Sequence, residues 1–150
     1  MNAGKCLLLL VALMTGYTSV MAQTERYPAK WRYNLKRNTT GETDLIFHLE
    51  LERGWHVRIL DKGDTIFRSP EFSFTRNEEL KLVGDMQQEG IREKVTIDSV
   101  KYDVYSYKVL YKQQIEAKPD TKISGWYTYQ VCNSEKCLAI KKEKFAFIMK

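Results

Sequence analysis

The sequence predicts an all-β protein, an immunoglobulin-like antiparallel β-sandwich. Apolar and polar residues alternate with a period of two along most of the chain, helical periodicity is nearly absent, and turn residues recur about every 8 to 12 residues. A chain of 150 residues is long enough for one such domain, which buries about two thirds of the surface of its unfolded chain. We therefore expect about seven strands in two sheets held together by packing.

Two half-buried strands are predicted on either side of a turn at residues 39–42. Their apolar faces consist of Trp31, Tyr33 and Leu35 in the first strand and Leu45, Phe47, Leu49 and Leu51 in the second. Gly54 ends the second strand, and a third begins at Trp55 and stops at the Asp-Lys-Gly-Asp turn of residues 61–64.

The middle of the chain predicts two short strands, a loop and one long strand. Pro70 introduces a strand containing Phe72 and Phe74, and a strand over residues 80–83 is expected to stop at Gly84. Residues 85–93 are polar and are predicted to form a loop. The long strand over residues 102–115 alternates so that one face carries Tyr105, Tyr107, Val109, Tyr111 and Ile115.

The last two strands are predicted over residues 123–132 and 145–149, after a turn at Pro119 and Asp120. In the first of these, one face carries Ile123, Gly125, Tyr127, Tyr129 and Val131, and the other carries Trp126, Thr128, Gln130 and Cys132. The basic run at residues 141–144 is expected to be a solvated turn before the final strand.

Residues 1–22 have the features of a secretory signal peptide. Lys5 precedes an apolar run over residues 6–14, and Val20, Met21 and Ala22 supply small or tolerated residues at a cleavage point before Gln23. The apolar run is too short to cross a bilayer as a helix. We therefore expect cleavage near Ala22, export to the periplasm or the medium, and a mature chain of residues 23–150 that is not inserted in a membrane.

Two cysteines, Cys132 and Cys137, stay in the mature chain, because the third, Cys6, lies in the signal peptide. With four residues between them, they form either a structural disulfide in a hairpin or a redox centre. A disulfide ring of this size stabilises a fold by roughly 2 kcal/mol, against about 4.7 for a 100-residue loop. The same closeness suits disulfide exchange, in which a second thiol must resolve a mixed disulfide. Short hairpin disulfides are also ordinary in exported proteins, so both interpretations stay open.

Composition argues against several other functions. Loss of the signal peptide removes one lysine and no acid, so the net charge falls from +5 to +4, and the basic residues are interleaved with acids rather than gathered into a nucleic-acid-binding patch. His48, His56 and the cysteine pair lack zinc-finger spacing, and an oxidised pair does not bind metal. No metal or organic cofactor is expected.

His56 is interpreted as a strand residue at a sheet edge. The tyrosines are interpreted as packed residues with hydroxyls that reach water.

Short segments across the chain carry a resemblance to a known family: Gly54-Trp55-His56, Glu71-Phe72-Ser73-Phe74, Leu82-Val83-Gly84, Ser124-Gly125, Tyr129-Gln130-Val131-Cys132 and Cys137-Leu138. In this order and spacing they resemble the N-terminal periplasmic domain of the DsbD family of thiol:disulfide interchange proteins, over about residues 30–149. In that family the domain is an immunoglobulin-like module that receives electrons through a thioredoxin-like domain and reduces periplasmic disulfide proteins.

The resemblance implies roles for the two cysteines. Cys137 would form the mixed disulfide with a thioredoxin-like or disulfide-isomerase-like partner, and Cys132 would resolve it. The family's aromatic cap loop, which shields the disulfide, is expected within residues 85–102, where Tyr102 supplies the one aromatic ring. No membrane segment or thioredoxin-like domain follows the domain, so electrons are expected to come from a separate protein. The alternative is a non-catalytic binding or accessory sandwich whose hairpin disulfide is structural. The sequence does not indicate an oligomeric state.

Overall fold

The computed structural model describes residues 26–63 and 65–150. The predicted signal peptide, with Cys6 and the cleavage site, lies outside the described residues. The described part of the chain forms β-strands joined by turns and loops, and it contains no helix that is long and apolar enough to cross a membrane.

Nine strands are found in the described residues: β1 Ala29–Arg37, β2 Thr43–Leu51, β3 His56–Arg58, β4 Glu71–Phe74, β5 Leu80–Ile97, β6 Val100–Ala117, β7 Lys122–Tyr129, β8 Val131–Cys132 and β9 Lys141–Ile148. All pairs are antiparallel. The prediction of an all-β antiparallel sandwich is confirmed, and the strand predicted over residues 123–132 is divided into β7 and β8.

The long strand β6 organises the larger of two sheets. Strands β2 and β3 lie end to end along one side of β6, and β5 lies along its other side. β1 extends the sheet beyond β2, and β8 extends it beyond β3. The smaller sheet has the order β4-β7-β9. Because one residue, Gln130, separates β7 from β8, the chain passes there from the smaller sheet to the larger one.

The main core fills the space between the sheets. Its fully buried side chains include Leu45, Phe47, Leu49, Val57, Val109, Tyr111, Ile115, Ile123, Tyr127, Tyr129 and Val131. The predicted inner faces of β2 and β7 are thus confirmed. β4 approaches β7 so closely that a Cβ atom on Gly125 would lie 2.0 Å from the Ser73 carbonyl oxygen, so this position requires glycine.

The predicted loop over residues 85–93 is wrong. These residues belong to β5, which continues past Gly84 and pairs with β6 along its whole length, with register shifts between Val83 and Gln87 and between Gly90 and Ile91. β5 is an edge strand with most of its side chains exposed, so the apolar alternation of a half-buried strand does not develop. Charged residues and bulges usually protect such an edge from pairing with the strand of another chain.

Two further predictions need correction. Tyr107 does not share the inner face of β6 with Val109 and Tyr111, because two extra residues bulge out opposite the Gly90–Ile91 step, and Tyr107 has a positive φ of 63° and is 48% exposed. The basic run is not a turn: β9 begins at Lys141, and Lys142 and Lys144 point to solvent along an edge strand.

Candidate redox site

Cys132 and Cys137 form a disulfide across a tight turn, with their Cα atoms 4.0 Å apart. Asn133 fixes this turn. Its side-chain oxygen accepts hydrogen bonds from the backbone N–H groups of Glu135 and Lys136 at 2.9 and 2.8 Å. The backbone N–H of Asn133 donates to the Lys136 carbonyl. Asparagine is suited to such turns because its side chain bonds the backbone two residues on.

The two cysteines differ in exposure. Cys132 is 0% exposed, whereas Cys137 is partly exposed. Cys132 belongs to a second apolar cluster, here called the disulfide cluster, which lies on the face of the larger sheet opposite the main core. Its buried members are Phe67, Ile97, Tyr102, Val104 and Cys132, and Val95 and Cys137 pack against them. Cys137 is therefore the more accessible of the two cysteines.

The loop between β3 and β4, residues 59–63 and 65–70, covers the disulfide cluster. This covering loop inserts Phe67, which is 0% exposed and meets the Tyr102 ring edge-to-face at 5.5 Å. Arg58, itself 7% exposed, supports the loop from below: its guanidinium donates to the carbonyls of Gly63 and Phe67, to the Thr65 hydroxyl, and to Asp61 at 2.6 Å.

Gln130 ties the covering loop to the cysteine hairpin. Its side-chain oxygen accepts from the Arg68 backbone N–H at 2.8 Å, and its side-chain nitrogen donates to the Leu138 carbonyl at 3.0 Å. Gln130 is 9% exposed, so both bonds are shielded from water. The loop, the hairpin and the end of β7 are thus linked through one side chain.

A single row of register partners crosses the larger sheet at the disulfide: Cys137, Cys132, His56, Ser106 and Ile91. His56 is therefore not at a sheet edge, as its sequence context suggested, because β3 is flanked by β6 and β8. The His56 Nδ1 atom lies 2.8 Å from the Ser106 hydroxyl, which donates in turn to Glu93. Burial lowers the pKa of His56, and the nearby Glu93 carboxylate opposes this effect.

The tyrosines mostly pack inside, as predicted. Tyr111, Tyr127 and Tyr129 are at most 1% exposed. Their hydroxyls do not depend on water, since Tyr127 and Tyr129 donate to Glu143 at 3.1 and 2.9 Å and Tyr111 accepts from Gln88. Burial raises the pKa of all three phenols.

Among the described residues, no group of three or more His, Cys, Asp or Glu side chains is placed to hold a metal ion. The two histidines have other contacts. His48 Nε2 lies 2.7 Å from the Asn34 side-chain oxygen, and His56 bonds Ser106.

The shielding of the disulfide is arranged differently from the expected cap. Residues 85–102 form β5 and the start of β6, and they contribute Ile97 and Tyr102 to the disulfide cluster. The main cover is Phe67, which sequence reasoning missed because it stands in no alternating pattern. Asn133 carried a local turn signal that would have identified it, whereas Arg58 and Gln130 carried none.

These features define a class of protein: an immunoglobulin-like β-sandwich with a part-covered cysteine hairpin on the outer face of one sheet. Among solved structures, the chain is similar to the N-terminal periplasmic domain of ScsB from Proteus mirabilis, with a TM-score of 0.60 and 16% identity over 84% of this chain and 48% of that chain. It is also similar to the DsbD N-terminal domain of Neisseria meningitidis in the reduced form, with a TM-score of 0.55 and 12% identity over 79% of this chain and 84% of that chain.

The resemblance inferred from short sequence segments is thus confirmed as a structural similarity, and at these identities it shows the fold. The chain spans about half the length of the ScsB structure that it matches. No family model matches the sequence, and no curated protein matches it.

Proposed function

We propose that residues 23–150 form an exported thiol-disulfide interchange module, released after cleavage of a signal peptide at residues 1–22. It passes electrons between a thioredoxin-like donor and disulfide-containing proteins of the periplasm or medium. Cys132 and Cys137 are its redox pair. The proposal is supported by the structural similarity to the ScsB and DsbD domains and by the disulfide between two cysteines close in sequence.

The unequal exposure of the two cysteines is the observation that carries this proposal. An exchange centre needs one sulfur that a partner can reach and a second that is close but protected, so that it attacks its neighbour rather than a third molecule. Cys137 is partly exposed and Cys132 is 0% exposed. This arrangement matches the two roles, whereas stabilisation of the hairpin alone does not require it.

The exchange proceeds in two balanced steps. In the reduced protein, the Cys137 thiolate attacks a sulfur of the partner's disulfide; the partner's S–S bond breaks, and its other sulfur leaves with the electron pair and is protonated. The Cys132 sulfur then attacks Cys137, forming the Cys132–Cys137 bond and breaking the bond to the partner. Two electrons and two protons have passed to the partner. A thioredoxin-like dithiol restores the pair by the reverse sequence.

A second candidate function is a binding or accessory sandwich with a structural disulfide. The complete burial of Cys132 favours it, together with the Gln130 bonds that tie the hairpin to the covering loop. In this alternative, reductants do not open the disulfide under physiological conditions, and neither cysteine forms a mixed disulfide with another protein.

Trapping with single-cysteine variants tests the proposed function. Reduced Cys132→Ser is mixed with oxidised thioredoxin-like and disulfide-isomerase-like proteins and examined on non-reducing gels. We expect a mixed disulfide through Cys137 that persists because the resolving sulfur is absent. The matched control is Cys137→Ser, which keeps the sealed Cys132 and should give little or no product. Failure of Cys132→Ser with every partner, or equal trapping by both variants, would contradict the proposal.

A further inference from the structure

We propose that His56 is the acid-base residue of the exchange reaction, accepting the proton of the Cys132 thiol as that sulfur attacks Cys137, and that Ser106 and Glu93 position its ring. This inference rests on the proposed function and deepens it, because it assigns a route for the proton of the buried thiol.

The sheet places His56 directly beside Cys132. The two residues are register partners in the β3–β8 pair, so their side chains stand on the same face with Cβ atoms about 4.5–5.5 Å apart. That face carries the disulfide cluster. On the other side of His56, its register partner in β6 is Ser106.

Hydrogen bonding selects the form of the His56 ring. The Ser106 hydroxyl donates its proton to Glu93, so its oxygen accepts from His56 Nδ1–H at 2.8 Å. The neutral ring then carries its lone pair on Nε2. Nδ1 thus lies on the β6 side of the ring, and the register partner on the other side of His56 is Cys132 of β8.

A buried thiol needs such a base. In apolar surroundings a thiol gives up its proton reluctantly, and Cys132 packs among Phe67, Tyr102 and Val104. When Cys132 attacks, its S–H proton passes to His56 Nε2, the Cys132–Cys137 bond forms, and the departing partner sulfur takes the electron pair. The imidazolium then returns its proton to solvent through a cleft of about 170 Å³ that also contacts Trp55 and Tyr107.

The charges around His56 favour a base that is neutral at pH 7. The side chain of His56 is 15% exposed, and burial lowers its pKa. Glu93 of β5 lies 3.7 Å from Nδ1 and would stabilise the imidazolium formed during the reaction. Glu52 and Arg53, from the turn before β3, line the same cleft with opposite charges. From β8 the neighbouring group is Cys132, and Arg58 lies on the same face two residues along β3.

A rapid-mixing experiment with the aromatic disulfide dithiobis-nitrobenzoate tests the role of His56 without a protein partner. The reduced protein releases one coloured thiolate when Cys137 attacks the reagent and a second when Cys132 closes the ring. We expect His56→Gln, which keeps a hydrogen-bonding side chain, to slow the second phase at least about tenfold at pH 7, since general-base catalysis typically contributes about 10²–10⁴-fold. The first phase should be unchanged.

The pH dependence separates an acid-base role from a structural one. In the unchanged protein the second-phase rate should level off above the pKa of His56, whereas in His56→Gln it should keep rising with pH. Glu93→Gln should move the inflection to lower pH, because the carboxylate raises the pKa of His56. This variant serves as the readout if His56→Gln does not fold. His48→Gln, at the other histidine of the sequence, is the matched control and should change nothing.

The outcomes of the two proposals are distinguishable. Release of two thiolates with the same pH profile in the unchanged protein and in His56→Gln would overturn the role of His56 and leave the exchange function standing. Release of a single thiolate by the unchanged protein would show that Cys132 does not resolve the adduct, which would contradict the proposed function itself.

Discussion

Phe67 is the side chain of the covering loop that packs in the disulfide cluster. Its ring is 0% exposed, contacts Tyr102 edge-to-face, and fills the disulfide cluster beside Cys132. Because Cys137 lies at the margin of this cluster and Cys132 lies inside it, the ring covers one sulfur and leaves its neighbour accessible. We therefore expect the reactivity of the pair to depend on a side chain far from it in sequence.

Phe67→Leu should make the disulfide easier to reduce. The smaller side chain leaves space beside Cys132, and we expect faster reduction by dithiothreitol together with a loss of about 1–2 kcal/mol in the free energy of unfolding. Thiol labelling over time measures the rate. The matched control, Phe145→Leu, removes the same atoms from the main core, where the ring is 3% exposed. Equal reduction rates in the two variants would show that Phe67 does not shield the pair.

The covering loop is held by hydrogen bonds at both of its ends and by Gln130, which lies between β7 and β8. Arg58 bonds four of its residues, Ser69 donates to the Ile59 carbonyl at 2.6 Å, and Gln130 accepts from the Arg68 N–H. Hydrogen bonds to a charged group contribute about 1.5–3 kcal/mol each where they are shielded from water. The loop consequently sets the position of Phe67, and Arg58 sets the position of the loop.

Arg58→Gln should loosen this loop without unfolding the sandwich. We expect faster amide hydrogen exchange and faster tryptic cleavage at Lys62 and Arg68, while exchange in β7 and β9 stays slow. Arg32→Gln is a suitable control, because Arg32 pairs with Glu50 at the surface with its side chain 72% exposed, and such pairs contribute little. Unchanged exchange in the loop of Arg58→Gln would mean that the guanidinium does not hold it.

How well each strand could be predicted from the sequence depends on how much of that strand is buried. β2 was predicted residue by residue because one face is packed in the main core, so Leu45, Phe47 and Leu49 had to alternate with less buried residues. In β5 the first residues, 80–83, were predicted, and the rest of the strand was missed because an exposed edge strand imposes no such alternation. The cysteine pair could be predicted from its short spacing, whereas the Gln130–Arg68 contact joins residues 62 apart, and no local pattern reports it.

The stability of the whole molecule rests on the main core, to which the disulfide does not belong. That core joins both sheets through aromatic and aliphatic side chains, and Cys132 packs in the separate disulfide cluster. A ring closed by residues five apart in sequence restricts the unfolded chain little. We therefore expect the fold to persist in both the oxidised and the reduced state, which an exchange module requires.

Reduction of the disulfide should lower the free energy of unfolding by about 2 kcal/mol or less, with the native β-sheet spectrum retained. Urea unfolding of the oxidised and the reduced protein, followed by tryptophan fluorescence, measures the difference. The control is a Cys132→Ala/Cys137→Ala protein, which should not respond to reductant. If reduction alone unfolds the unchanged protein, the disulfide is structural.

The reduction potential of the Cys132–Cys137 disulfide tests the central claim most directly. The protein is equilibrated with dithiothreitol or glutathione buffers of known potential, and the fraction of free thiol is measured after rapid alkylation. A pair that exchanges with thioredoxin-like proteins should titrate above about −300 mV, in the range of exchange modules. A midpoint below that value, with the disulfide resistant to every physiological reductant, would contradict the exchange function and leave the accessory sandwich in its place.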